Sequence, residues 1–398
     1  MKVLCVFGQY QYGDRTRGFS EVFAGFMPAL RRLGCDIVHF ESWNRAAHEN
    51  YRDLNVKLVD CIRTTQPDVM LTVQLGYELW TETIGHISEV FDTATVTWTT
   101  DDSWKFREVS RFIAPYYHAI TTTYAHRITD YHKLGIQSVL LTQWAASLDG
   151  CKQPVPAARC RYPVSFVGTM YGRRAELVQK LRAEGIPVSC FGFGWPEGPV
   201  QAGMISDIMN NSVISLNFSA GAKGPEPQIK ARAFEVPGAG SLLLTEDCPG
   251  LERYYTVGGE IDSFRTFTEL KDKIDGYLAN PGLRDRMARA AFERTVKEHT
   301  YDHRLKEVIE FALRAKTYWH PPRRLSAGSE VTVCAKAHRP TRPIRWARTA
   351  LVALCTILWA RGRAVRAARR IAYECSWRLV GERTFGAGGW PGRMFPEI

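Results

Sequence analysis

A chain of 398 residues, 45% apolar and 23% charged, has the size and composition of a globular protein with more than one core, which excludes a disordered or fibrous chain. Its formal charge of +11 is local: residues 321–398 hold fifteen Lys/Arg against four Asp/Glu, so the first 320 residues are neutral and the end of the chain carries the whole excess. No run reaches the roughly 18 apolar residues of a membrane span. The ten cysteines form no Cys-x-x-Cys pair and read as reduced, small apolar residues of a cytosolic protein.

The opening MKVLCVFG predicts a buried strand rather than a signal peptide, followed by a polar loop, GQYQYGDRTRG. Residues 21–33 have helical apolar spacing and stop at Gly34. Strands are predicted at 36–40, 67–73, 94–99 and 119–123, with helices at 54–65, 79–91, 104–112 and 125–134. This alternation predicts a parallel, doubly wound sheet. A Pro-rich polar stretch, LDGCKQPVPAARCR, interrupts it at 148–161 and sets a domain boundary near residue 150. The alternation then restarts, with strands at 164–168, 187–192, 213–217 and 241–245. Helices are predicted at 173–184, 205–211, 267–279 and 281–314, and another leads into the glycine turn at Gly238 and Gly240. The expected division is 1–150, 151–318 and a basic, partly amphipathic helical tail, 319–398.

The richest stretch is QIKARAFEVPGAGSLLLTEDCPGLERYY, residues 228–255. It sets a basic helix start and Glu235 beside one strand end, the part of an open α/β sheet that binds nucleotides and phosphates. Its Phe-Glu-x-x-x-x-Gly, Leu-Leu-Leu-Thr-Glu-Asp and Pro-Gly-Leu-Glu pieces resemble the C-terminal half of the group-one glycosyltransferases, most closely the spore-maturation (CgeB-like) branch. The resemblance continues through Asn280-Pro281 and Glu298–Arg304. It reaches back to Ser215-Leu-Asn-Phe-Ser219, Phe166-Val-Gly168, Thr99–Trp104 and Gln143–Ala146, covering most of residues 1–312. It implies the GT-B architecture, two Rossmann-like domains facing across a cleft. The N-terminal domain would bind the acceptor and the C-terminal domain a nucleotide-sugar donor.

The resemblance implies that Glu235 accepts hydrogen bonds from the ribose hydroxyls, a task suited to a carboxylate. Glu226 is the candidate for the glutamate that contacts the sugar, although eight residues separate the two where the family has seven; Lys223 or the Gly224 backbone are the substitutes. The residues themselves suggest a diphosphate site. Gly168 ends a strand and Arg173 and Arg174 open a helix, where arginine can neutralise leaving-group charge without a metal. Helix neighbours diverge, so one of the two faces solvent. Lys230 and Arg232 are further diphosphate candidates. Phe191-Gly-Phe-Gly-Trp195 offers close backbone approach to a base, with Trp195 or Phe193 as its shield.

On the acceptor side, Asp101 and Asp102 follow a strand; either is a candidate general base, and Asp102 equally suits a helix cap. Tyr10, Tyr12 and Asp14 are additional candidates. His299 and His303 lack the glutamate of a metalloprotease motif and read as packing residues. No P-loop or Gly-x-Ser-x-Gly elbow is present. The expectation is therefore a metal-independent transferase needing no cofactor beyond its donor.

The segment 344–379 combines an apolar block, 350–360, with Arg361, Arg363, Arg366, Arg369 and Arg370. It reads as a basic amphipathic helix for an anionic membrane surface, with residues 381–398 loose beyond it. That suggests a lipid-linked or cell-surface acceptor and a peripheral position at the inner face of the cytoplasmic membrane, with no nucleic-acid partner. A nucleotide-sugar epimerase and an inactive sugar-nucleotide-binding scaffold remain open as alternatives.

Overall fold

The computed structural model describes residues 1–44, 46–219, 227–321, 331–359 and 361–396. It divides into two compact units. Residues 1–23, 34–142 and 307–398 form the first, and residues 24–33 and 143–306 the second.

The first unit is built on six parallel strands: β1 (Lys2–Val6), β2 (Asp36–Phe40), β3 (Val69–Thr72), β4 (Ala94–Trp98), β5 (Ala119–Thr122) and β6 (Val139–Leu141), in the order β2-β1-β3-β4-β5-β6. Helices cover both faces of such a sheet, so β3, β4 and β5 are wholly buried and read as near-continuous apolar runs. Their threonines find partners inside: Thr72 Oγ1 bonds the Tyr117 hydroxyl at 3.1 Å and Thr95 Oγ1 the Ser88 hydroxyl at 2.7 Å. The predicted helix at 104–112 is instead a wide π-type turn, Phe106–Ser110, followed by one α-turn.

The second unit carries β7 (Tyr162–Val167), β8 (Val188–Phe191), β9 (Ser212–Asn217), β10 (Leu242–Glu246) and β11 (Asp262–Phe264), all parallel, in the order β11-β10-β9-β7-β8. Alternate residues sort to opposite faces. Val164, Phe166, Ile214, Leu216, Leu242 and Leu244 enter one core; Val167 and Leu243 pack with Phe234, Val236 and Tyr255 in another. Arg284, fully buried, ties the Pro281–Glu298 helix to the start of β9 through Nε to Val213 O (2.7 Å) and Nη2 to Ser212 O (2.6 Å). The expected long helix at 281–314 breaks after Glu298 and resumes as Tyr301–Lys316. There His299 turns aside to donate from Nε2 to Tyr254 O at 2.8 Å, and Thr300 pairs with Ala146.

Each sheet has one point where strand order reverses, between β1 and β3 and between β7 and β9. In open α/β sheets ligands bind beyond the carboxyl ends of strands at such points.

The end of the chain departs from the expected single amphipathic helix. It forms two helices, Arg342–Leu358 and Arg361–Val380, joined through Cys355 against Ala364, Ala368 and Ala372. Tyr373, Trp377 and Phe385 then enter the core of the first unit. Residues 381–396, expected to be loose, form a 3-10 turn and the short Trp390–Met394 helix, and Phe395 is fully buried. Among the described residues no helix is long and apolar enough to cross a membrane.

Candidate functional site

At the β7–β9 reversal the chain leaves β7 through Gly168. Its N–H donates to Phe191 O at 2.7 Å, and its carbonyl accepts from Trp195 Nε1 at 2.8 Å. A Cβ on Gly192 would stand 2.5 Å from Gly168 O, so that position has no room for a side chain, and one on Gly168 would stand 2.8 Å from Arg232 Nη2 and push that guanidinium aside. Arg232 donates from Nε to Val167 O, and its guanidinium lies 5.7 Å from the Phe166 ring centroid. Arg174 lies 5.5 Å from the same centroid and 3.8 Å from that of Tyr171. It donates from Nη1 to Thr169 O (2.9 Å) and from Nη2 to the Tyr171 hydroxyl (2.7 Å).

Two guanidiniums are thus held over one ring, and among the described residues neither makes an ion pair. Burial first, and then the neighbouring Arg232 charge, push the Arg174 guanidinium down to about 10, so it stays protonated at neutral pH. Two adjacent, partly desolvated cations gain by meeting an anion with two or more charges, and the forked donors of arginine fit phosphate oxygens.

The other expected residues distribute around this pair. Arg173 is exposed and Arg174 buried, so the neighbours do diverge. Glu235 is half-buried three residues after Arg232 on the Arg232–Gly238 helix, which puts both on one face. Lys230 bonds the Gln228 side chain, and Gln228 N–H donates to Ser219 O at 2.9 Å, just past the end of β9. Trp195 is buried edge-on to Phe166, with ring centroids 6.0 Å apart, where it supports Gly168. Phe193, 55% exposed, is the aromatic open to a ligand. Glu226 and the loop 220–225 lie outside the described residues.

Two neighbours were missed by the sequence reading. Glu246 ends β10 and accepts from both Ser219 N–H and Ser219 Oγ at 3.0 Å. Asn217 ends β9; its Nδ2 donates to Thr245 Oγ1 at 2.9 Å, while its buried Oδ1 has no partner among the described residues. Their signal was positional: Asn217 is the last residue of β9 at the reversal, and Glu246 the last residue of its neighbour β10.

In the first unit the adjacent aspartates separate completely. Asp102 is fully buried and accepts from Thr99 Oγ1 (3.0 Å), Ser110 Oγ (2.6 Å) and the Tyr131 hydroxyl (2.9 Å). Burial pushes its carboxyl up and these donors oppose the shift. It is a structural hub with no open side. Asp101 is exposed and sits at φ +56°, a left-handed backbone conformation that costs a non-glycine residue energy. Its carbonyl accepts from the amides of Trp104 (3.1 Å) and Lys105 (3.0 Å). Tyr12, in the loop after β1, is also left-handed at φ +55° and 60% exposed. Asp14 caps the Arg15–Arg17 turn through Thr16 N–H at 3.0 Å. Among the described residues no His/Cys/Asp/Glu group could hold a metal ion. His299 is a packing residue among Phe234, Tyr254 and Tyr255.

Residues 173–310 match the family model described as glycosyl transferase-like. No curated protein matches the chain. Among solved structures, a glycosyltransferase from Rickettsia africae is 12% identical with a TM-score of 0.54, over 79% of this chain and 98% of that one. The sucrose-phosphate synthase of Thermosynechococcus elongatus is 10% identical with a TM-score of 0.54, over 80% and 98%. Anabaena HepE in complex with UDP and glucose is 10% identical with a TM-score of 0.52, over 78% and 99%. At these identities the likeness defines the fold: two Rossmann-like α/β domains of the GT-B class.

Proposed function

We propose that the protein is a glycosyltransferase that moves a hexose from a nucleotide-diphosphate donor to an acceptor, in or near the spore-maturation-like branch of the group-one enzymes. The observation that carries this reading is the Arg174–Arg232 pair over Phe166, at the strand reversal and inside the segment that matches the glycosyl transferase-like model. A departing nucleoside diphosphate gains negative charge as the glycosidic bond breaks. Two fixed guanidiniums stabilise that charge without a metal. In this reading Glu235 binds the ribose, Lys230 completes the diphosphate cradle, Gly168 leaves room for Arg232 beside it while Trp195 holds the Gly168 backbone, and Arg173 lies at the rim. Glu226 contacts the sugar, and Asp101 takes the proton from the acceptor hydroxyl.

The same proposal extends to location. The Arg342–Leu358 helix exposes Trp346, Leu354, Ile357 and Leu358, with Trp359 following, beside Arg342 and Arg345. Exposed apolar side chains flanked by arginines suit an anionic lipid surface, which supports a peripheral enzyme on the cytoplasmic face working on a lipid-linked or cell-surface glycan.

Titration calorimetry with UDP, GDP, dTDP and their hexose conjugates tests the reading, with UDP first because HepE was crystallised with it. Saturable binding of one diphosphate series, followed by acceptor-dependent turnover, is expected. Turnover without acceptor would point to an epimerase, and binding without any turnover to a scaffold. Absence of binding by every nucleotide at millimolar concentration would overturn the proposal.

A further inference from the structure

The first unit holds a cavity of about 550 Å³ that the donor chemistry does not use. Its lining comes from the segments that follow β1, β2, β3 and β4 and from the Arg361–Val380 helix, so it includes that sheet's own strand reversal, and its volume is that of a small-molecule site. Two sets of side chains define its chemistry.

The first set is aromatic: Trp43, Tyr51 and Tyr77, with Tyr12 at the loop. Trp43 is fixed by its Nε1–H donating to Val73 O at 2.9 Å, and its ring lies so close to Gly8 that a Cβ there would meet it at 2.4 Å. Rigid aromatic faces of this kind stack on the C–H faces of sugar rings. The second set is cationic and comes from the end of the chain: Arg366, Arg369 and Arg370. Tyr373 explains their presence. It stacks on Tyr77, with centroids 5.7 Å apart at 28°, and its hydroxyl donates to Glu108 O at 3.3 Å. Positions 366, 369, 370 and 373 share one helix face, so anchoring Tyr373 in the core carries the three arginines into the cavity wall.

The acids nearby do not cancel the charge of Arg366. Glu78 lines the cavity, but its carboxylate accepts from the Leu75 and Gly76 amides. Arg370 is paired with Glu374 and lies 3.7 Å from Glu108. Arg366 is exposed and has no hydrogen bond or ion pair among the described residues. The Ser42 hydroxyl, which also lines the cavity and is 2% exposed, likewise has no partner among them.

We propose that this cavity binds an anionic saccharide, a sugar ring carrying a phosphate or a carboxylate. The ring stacks on the aromatic wall, Arg366 and Arg369 hold the anion, and Ser42 takes one ring hydroxyl. Calling this ligand the acceptor rests on the transferase reading above; its binding does not. The basic helix thereby acquires a role inside the protein, and membrane contact is left to the preceding helix.

Calorimetry on the full-length protein tests this with glucose 1-phosphate, glucuronate, glucose and inorganic phosphate, on wild type and on R366Q/R369Q. Both positions are on the surface helix, and an unchanged melting curve verifies the variant's fold. Glucose 1-phosphate or glucuronate, whichever the site prefers, is expected to bind at least tenfold more tightly than glucose and than inorganic phosphate. The variant should lose at least tenfold of that affinity. Preference between the two anionic sugars assigns the charged group. Equal affinity for glucose, equal affinity for inorganic phosphate, or an unaltered variant each overturns the proposal. Where the variant is unfolded, R366Q alone carries the same comparison. UDP titrated in the same series separates the two readings. Anionic-sugar binding without UDP binding removes the transferase and keeps the cavity, and the reverse result removes the cavity alone.

Discussion

Replacing Arg232 by alanine dissects the cation pair. The side chain has one internal bond, Nε to Val167 O, and one ring contact, at Phe166. Its remaining donors make no ion pair among the described residues and stay available to a ligand. A hydrogen bond to a charged group contributes about 1.5–3 kcal/mol, so Arg232→Ala should weaken UDP binding roughly 10- to 150-fold. The folded state loses less. Stranding Val167 O costs about 1–3 kcal/mol, and relief of repulsion on Arg174 offsets part of it. A melting temperature about 2–4 °C lower is expected for a protein this large. Arg232→Lys keeps the charge but loses the fork and the Nε bond, so its affinity should fall between the two. The Arg174 guanidinium, pushed down to about 10 in part by Arg232, should titrate higher in the alanine variant. Calorimetry at neutral pH and low salt reads the affinities. A dissociation constant for UDP within twofold of wild type in Arg232→Ala would refute the assignment of this pair to the diphosphate.

Asp101→Gly removes a carboxylate while easing a left-handed backbone that costs aspartate roughly 1 kcal/mol. It should leave the melting temperature unchanged or slightly higher and slow transfer roughly 100- to 10,000-fold; full activity would exclude Asp101 as the base. His118 supplies a pH test of the first unit. Its Nδ1 accepts from Thr95 N–H at 2.9 Å and its Nε2 bonds Ser88 O at 3.0 Å, so the neutral ring fits and a proton on Nδ1 would oppose an N–H. Burial pushes it down to about 4 from an ordinary 6.5. The folded state therefore binds the proton less readily than the unfolded chain. Stability is full above pH 6.5 and falls as the pH drops toward 4, by about 3 kcal/mol. His118→Asn keeps an acceptor without the titration, so denaturant unfolding between pH 6.5 and 4 should show a flatter slope in the variant. Parallel slopes would remove His118 as the cause.

The sequence by itself determined the strands that are buried on both faces, because burial on both sides demands an unbroken apolar run whatever surrounds it. β1, β3, β4, β5, β9 and β10 were legible for that reason. The edge strands β6 and β11 were not: three residues at a sheet margin carry no periodicity, and only the neighbouring strand makes them strands. The sequence also offered the basic residues and Glu235 around Gly168, since their positions follow from a strand end and a helix start. Which arginine turns inward was beyond it. Arg173 and Arg174 are chemically alike, and packing against Phe166 and Tyr171 separates them. Asp101 and Asp102 are likewise equal as letters; three buried hydroxyls make one a structural group, while a left-handed turn exposes the other. The tail gave its charge and amphipathic spacing freely. Those quantities fix how much apolar surface a helix must cover, not what covers it. Docking of Tyr373, Trp377 and Phe385 in the first core is a long-range event, and only the tertiary structure decided that the arginines beside them line a cavity.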